Sequence, residues 1–409
     1  MTAHHSPLRR AMLASAAAAA FPSAWAQTMP AAKSDGRLVI VFLRGAYDGL
    51  SAFVPWSDPE YARVRPNIAI AQPDGTDQTA IHLDSRFGLH PAMAGLLPLW
   101  QEGVLAVVPA AGSPDPTRSH FEAQYQWETA RPGRTGEAPG WLNTLAGFGE
   151  SNNSAHALGV GEANPRVLAG AQAVKLVARG KSAQRAGVLE NQRTREAFMA
   201  LYDGPDKLSA AFRQGAESRL QTAQDLSREM QAADNGAAPA AALEGDALNL
   251  GTLMRRERSL RIGFLSAGGW DTHANQGAVT GQLANNLRRL SAALVQLRRD
   301  FNQDNDVIIV ASEFGRTTAE NGSRGTDHGH GNAIWLLGNR VNGGRWHGQW
   351  AGLSPSNLHE NRDLPVHHDF RAVMAQALRS CFALPDSQLA RVLPGANWDS
   401  QLNGLMRRA

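Results

Sequence analysis

The apolar run Val307 to Ala311 passes directly into SEFGRTTAENGSRGTDHGHG, Ser312 to Gly331, and this junction restricts the fold more than any other stretch. A run of Val, Ile and Ala with no polar face reads as a strand covered on both sides, as inside a mostly parallel sheet. In open α/β sheets, ligands gather beyond the carboxyl ends of the strands. Glu313, Asp327, His328 and His330 therefore stand where a metal or substrate would sit, among glycines that allow close backbone approach. The same relation recurs twice. Leu38 to Leu43 leads to Asp48, and Leu260 to Ser266 leads to Asp271 and His273. Three strand ends carrying acids or imidazoles predict one site assembled from several segments.

Further buried strands are expected at Val104 to Pro109 and Ala333 to Leu337, with short strands between Asn164 and Val177. Helical spacing marks Pro91 to Glu102 and Gly277 to Phe301, the latter through Leu283, Leu287, Leu290, Leu294 and Leu297. Strand, long helix, strand predicts a right-handed parallel crossover. The expected fold is a three-layer α/β/α sandwich with a mostly parallel central sheet. Polar, helix-forming sequence from about 180 to 258, containing an Ala/Pro/Gly-rich linker from Asp234 to Gly245, reads as a helical insertion in a single domain spanning 27–409. Ser57 to Phe87, rich in Pro, Asp and Gly, reads as loops around short strands.

Arg9 and Arg10 precede an alanine-rich run from Ala11 to Phe21, and Ala24-Trp25-Ala26 offers a small-x-small cleavage site, so residues 1–26 read as a twin-arginine export signal. The expected location is periplasmic or secreted, reached through the twin-arginine machinery, which carries folded proteins. Loss of Arg9 and Arg10 takes the formal charge from +3 to +1. No basic block with interleaved aromatics stands out, so nucleic acid is not an expected partner. No later apolar run is long enough to span a bilayer. Cys381 is the sole cysteine, which excludes an internal disulfide and a thiolate zinc cluster. Any metal must be held by oxygen and nitrogen.

Carboxylates and imidazoles at several strand ends fit one or two divalent ions, with zinc, manganese, magnesium and calcium all compatible; the competing account is a set of buried hydrogen bonds at loop crossings. Asp48 also suits a turn. Ser119 suits a helix N-cap, while the same hydroxyl, flanked by Arg118 and His120 at a helix N-terminus, also suits attack on an anionic ester, with Thr117 the second candidate.

The segments RGAYDGL (Arg44 to Leu50), SHFEAQ (Ser119 to Gln124), GGWDTH (Gly268 to His273), SEFGRT (Ser312 to Thr317) and GTDHGHG (Gly325 to Gly331) resemble the secreted bacterial family called domain of unknown function 1501, which is similar to the alkaline phosphatase and sulfatase superfamily. The resemblance implies an alkaline-phosphatase-like fold and metal-dependent hydrolysis of phosphate or sulfate esters. It places metal ligands on Asp48, Asp271, His273, Glu313 and one of His328 or His330, with Asp327 available to fill a gap in the set. Ser119 would be the nucleophile, with Arg118 or Arg316 binding the non-bridging oxygens as a planar fork. Phe314 stands where the superfamily has a histidine ligand, and phenylalanine binds no metal, so either one ion or two is compatible with the pattern. Phe314 also keeps a second function open: a binding or assembly protein that retains the fold without turnover. Without a glycine-rich dinucleotide fingerprint or a cysteine cluster, a redox enzyme is disfavoured.

Overall fold

The computed structural model describes residues 35–134, 136–148, 155–161, 165–178, 192–206, 209–210, 212 and 242–407. The expected export signal and most of the expected helical insertion lie outside these residues. Among them the strands are β1 (Leu38–Leu43), β2 (Phe53–Val54), β3 (Ile81–His82), β4 (Gly88–Leu89), β5 (Leu105–Gly112), β6 (Ala157–Gly161), β7 (Val174–Ala178), β8 (Ile262–Ala267), β9 (Val307–Ala311), β10 (Asn332–Leu337), β11 (Arg345–Trp346) and β12 (His368–Asp369). β2, β4 and β3 form a small antiparallel sheet. The main sheet runs β11-β5-β10-β9-β1-β8-β6-β7, with β12 also paired to β5.

The main sheet is parallel apart from β10, which is antiparallel to both β9 and β5. β8 and β9 are both parallel to β1 and lie on either side of it, so the segment joining them crosses one strand. The antiparallel course of β10 is not readable from an apolar run, because strand direction leaves no mark in composition.

Every residue of β1, β5, β8, β9 and β10 is buried, as continuous apolar runs require when helices cover both faces. Alternation then sorts the side chains. Val39, Val41 and Leu43 join a core with Leu250 and Met254 of the helix Ala242–Arg256 and with the leucine stripe of the helix Gln282–Asp300. Leu38, Ile40 and Phe42 face the opposite core, with Trp127, Trp141 and the helix Phe370–Phe382. This is the expected three-layer arrangement. The expected linker to Gly245 ends earlier: the chain is helical from Ala242, and Leu243, Ala247 and Leu250 pack into the core. Its apolar stripe outweighs the local Ala/Gly composition.

Leu294 is fully buried at the centre of the long helix. We expect Leu294→Ala to cost about 2–5 kcal/mol, the usual range for emptying a leucine-sized space in a packed core. Urea unfolding should show a lower midpoint with an unchanged slope.

Candidate metal centre

Four parallel strands, β5, β9, β1 and β8, present their carboxyl ends at one edge, and the antiparallel β10 brings its amino end to the same edge. The loops there converge. Gly45 has φ of +106°, and an added Cβ would lie 2.8 Å from the Asp271 amide nitrogen. Glycine at this position thus lets the β1 loop lie directly on the β8 loop. The β9–β10 loop folds back on itself through Gly315 N–H to the His330 carbonyl (2.9 Å) and Thr317 N–H to the Asp327 carbonyl (3.0 Å). Asp327 and His328 are thereby returned to the sheet edge.

His120, Asp271 and His328 each place one ligand atom so that all three lie within 4.8 Å of one another. The Asp271 carboxylate is the meeting point. Its Oδ1 is 3.5 Å from His120 Nε2, 3.2 Å from His328 Nε2 and 3.0 Å from His273 Nε2. The other ring nitrogens point away, each to an acceptor. His120 Nδ1 is 2.7 Å from Glu313 Oε1, His273 Nδ1 is 3.1 Å from Asp327 Oδ1, and His328 Nδ1 is 2.9 Å from the Arg118 carbonyl. A neutral ring that donates from Nδ1 carries its lone pair on Nε2. In that tautomer three lone pairs face one carboxylate, and Nε2 of His273 and Nε2 of His328 are 2.9 Å apart. A shared cation relieves that repulsion, so the donors fit a divalent ion. Imidazole nitrogen with one carboxylate suits zinc or manganese better than magnesium or calcium, which favour all-oxygen shells.

Local electrostatics agree. Burial works against ionisation of Asp271, yet the Arg316 guanidinium at 2.5 Å holds its pKa down to about 2. The hydrogen bond to Glu313 raises the His120 pKa, and burial followed by the nearby His120 charge lowers that of His328. Asp271 is 45% exposed, so the centre opens to solvent on one side.

The remaining expected residues fall elsewhere. Asp48 is buried, and its carboxylate accepts from both Nη groups of Arg65 (2.6 and 3.1 Å), Ser51 Oγ (2.8 Å), Gln276 Nε2 (2.7 Å) and the Leu50 amide (3.2 Å). It is an ion-pair partner with its lone pairs in use, contrary to its expected role as a metal ligand. Glu313 is 0% exposed and accepts from His120, Gln124, Gly45 and Ser312, so it stands behind a ligand and is not one itself. Asp327 likewise backs His273 and accepts from Asn321 Nδ2 at 2.9 Å; that bond and the one from His273 outweigh its partial burial and hold its pKa below the ordinary value. His330 packs against His359, with ring centroids 4.6 Å apart and the planes tilted by 39°, away from the trio, and burial pushes its pKa down to about 4.

Arg316 is buried and donates to the carbonyls of Ala46, Thr326, Gly45 and Trp270 as well as to Asp271. It braces the loops instead of offering a fork to substrate. Arg118 gives one Nη to both Glu360 (2.6 Å) and Asp363 (2.7 Å), and its contribution to the centre is its carbonyl. Ser119 is exposed at the N-cap of the helix His120–Thr129, where its Oγ accepts from the Glu122 amide at 3.4 Å.

His120 is the candidate ligand that the sequence does not single out, since there it stands only as a neighbour of Ser119. A signal was present: His120 and Gln124 lie four apart on one helix face, and both reach Glu313. Phe314 is buried against this ligand, its ring 4.8 Å from that of His120 and 5.2 Å from that of His328.

Fold and site together define a mixed α/β protein with two histidines and a carboxylate at one edge of its sheet that could hold a divalent ion. The chain belongs to the family described as "Protein of unknown function (DUF1501)", whose model matches residues 106–393. No curated protein matches it by sequence. Among solved structures, a crystal structure of Ps i-CgsB in complex with k-i-k-neocarrahexaose is similar at 10% identity and a TM-score of 0.37, over 87% of this chain and 73% of that one. A likeness of this size carries no functional argument. No helix among the described residues is long and apolar enough to cross a membrane.

Proposed function

We propose that the protein is an exported, metal-dependent hydrolase of phosphate or sulfate esters with an alkaline-phosphatase-like fold. The observation that carries this reading is the convergence of imidazole Nε2 atoms on Asp271 Oδ1 while each Nδ1 is held by an acceptor. His120, Asp271 and His328 would hold a divalent ion, with His273 as a fourth ligand. When bound, the ion supplies a Lewis acid for an ester oxygen. Ser119 supplies the attacking hydroxyl, one residue before His120 and at a helix N-terminus where free N–H groups favour an anionic ester. Glu313 and Asp327 orient the ligands His120 and His273. The exposed side of Asp271 gives an ester access from solvent. Export in the folded state through the twin-arginine machinery would deliver the assembled centre to the periplasm.

Ser119→Ala tests the chemistry. With the mature protein loaded with zinc or manganese and supplied with aryl phosphate and aryl sulfate esters, we expect turnover to fall at least about 100-fold. Bound metal should stay unchanged, and stability should fall by about 1 kcal/mol for the lost cap. Undiminished turnover would remove Ser119 from the mechanism.

A second reading, a periplasmic binding or assembly protein without turnover, is favoured by Phe314, which covers His120 with carbon, and by the internal engagement of Arg316. An inactive wild-type protein that holds stoichiometric metal would select it.

A further inference from the structure

We propose that Arg44, Gln124 and Glu313 form a positioning relay that fixes the tautomer of His120 and thereby sets the affinity of the centre for its ion. The direction of each hydrogen bond follows from the one before it. A guanidinium can only donate. Arg44 gives Nη1 to Gln124 Oε1 at 2.7 Å and Nη2 to Glu128 Oε1 at 2.5 Å, so the amide oxygen of Gln124 must face Arg44.

The Gln124 NH₂ group is then left for Glu313 Oε1, at 2.9 Å. The same oxygen accepts the Gly45 amide at 2.8 Å. Surrounded by donors and fully buried, Oε1 acts as an acceptor, so the 2.7 Å contact to His120 Nδ1 carries the imidazole's proton. His120 Nε2 is thereby left with its lone pair on the side of Asp271 and His328. It is buried, and the nearest acceptor, Asp271 Oδ1, stands back at 3.5 Å, which leaves room for an ion between them. His120, Gln124 and Glu128 recur at four-residue steps, so one helix face carries the ligand and two supports of the relay.

Glu313 belongs to β9's loop and Arg44 to β1's loop, so the relay ties ligand geometry to two adjacent strands. A carboxylate behind a ligating histidine fixes ring orientation and raises basicity, and its loss costs about 10–100-fold in metal affinity. The relay rests on the metal centre alone and is independent of ester hydrolysis.

The test is titration of the metal-free mature protein with Co²⁺, reading the visible absorption band and the dissociation constant, beside thermal unfolding without metal. We expect Glu313→Gln to weaken Co²⁺ about 10–100-fold and alter the band, because its amide disturbs the set of donors around Oε1. Gln124→Leu and Arg44→Met should weaken binding in the same direction by smaller factors, with Arg44→Lys recovering part of the loss. A purely structural role would lower the unfolding temperature and leave affinity and band unchanged; that result would overturn the relay. Should Glu313→Gln fail to fold, wild-type affinity in both Gln124→Leu and Arg44→Met overturns it equally. A wild-type protein with no Co²⁺ affinity would overturn the centre and the relay together, whereas a metal-binding protein inert to esters would overturn only the proposed hydrolysis.

Discussion

The double substitution Asp271→Ala and His328→Ala should strip the protein of metal. Asp271 Oδ1 is the atom on which three imidazoles converge, and His328 Nε2 lies within reach of both that oxygen and His273 Nε2. Removing both leaves only His120 and His273, held by Glu313 and Asp327 at the two ends of the β9–β10 loop. Affinity should fall at least about 100-fold, beyond the 10–100-fold that loss of an outer hydrogen-bonding partner costs. Metal content measured by mass spectrometry on the purified protein gives the result directly. His330→Ala provides the contrast: its ring packs against His359, and the variant should keep its full complement of metal. Equal metal in the wild type and the double variant would show that the ion is held elsewhere.

The second large effect concerns stability. Arg65→Met should cost about 3–5 kcal/mol, because it leaves the Asp48 charge buried without its counter-ion. Two further acceptors lose their donor, the carbonyls of Thr318 (2.7 Å) and Thr317 (2.9 Å). Burial opposes ionisation of Asp48, but the adjacent guanidinium prevails and holds its pKa below the ordinary carboxylate value. With the folded pKa below the unfolded one of about 3.9, the pair's contribution is complete above that pH and is lost as pH falls through the folded value. In Arg65→Met the buried carboxyl takes up a proton more readily, so the gap between wild type and variant should narrow on acidification. The double change Arg65→Met with Asp48→Leu should recover much of the loss, since neither charge then remains. Chemical unfolding of all three proteins across pH 4–7 (roughly the span above the unfolded carboxylate value) measures this; a gap constant with pH would show that Asp48 is not the group responsible.

Much of the fold was legible because the central strands are apolar on both faces. Val307–Ala311 matches the expected run residue for residue, and Leu38–Leu43 does the same. The leucine stripe of the long helix was legible for a related reason: one-sided burial leaves a period. Ala242–Arg256 falls within the expected helical stretch, but its start at Ala242 was not legible in the Ala- and Gly-rich sequence before Gly245, and neither was its place in the core, where Gly251 packs against Asp300. At the site, Asp271 and His328 were legible as chemistry placed after strands. The division between ligand and support was not, because it depends on which atoms meet across loops. Glu313 and Asp48 have the composition of ligands and the surroundings of hydrogen-bonded carboxylates. Arg65, which decides the role of Asp48, lies in a Pro- and Asp-rich stretch that offered no pattern connecting it to β1.

The reversed course of β10 makes the site depend on distant parts of the chain. His120 follows β5, Asp271 follows β8, and His328 precedes β10, the strand inserted between β5 and β9. In chain order the first of the three is made long before the last, and the folded site has β10 lying between β5 and β9. Non-local pairing of this kind is slow, since ends far apart in sequence must be brought together before any contact rewards them. The three donors of the site thus depend on contacts between segments far apart in sequence, and loosening any of the three strands would reach the site.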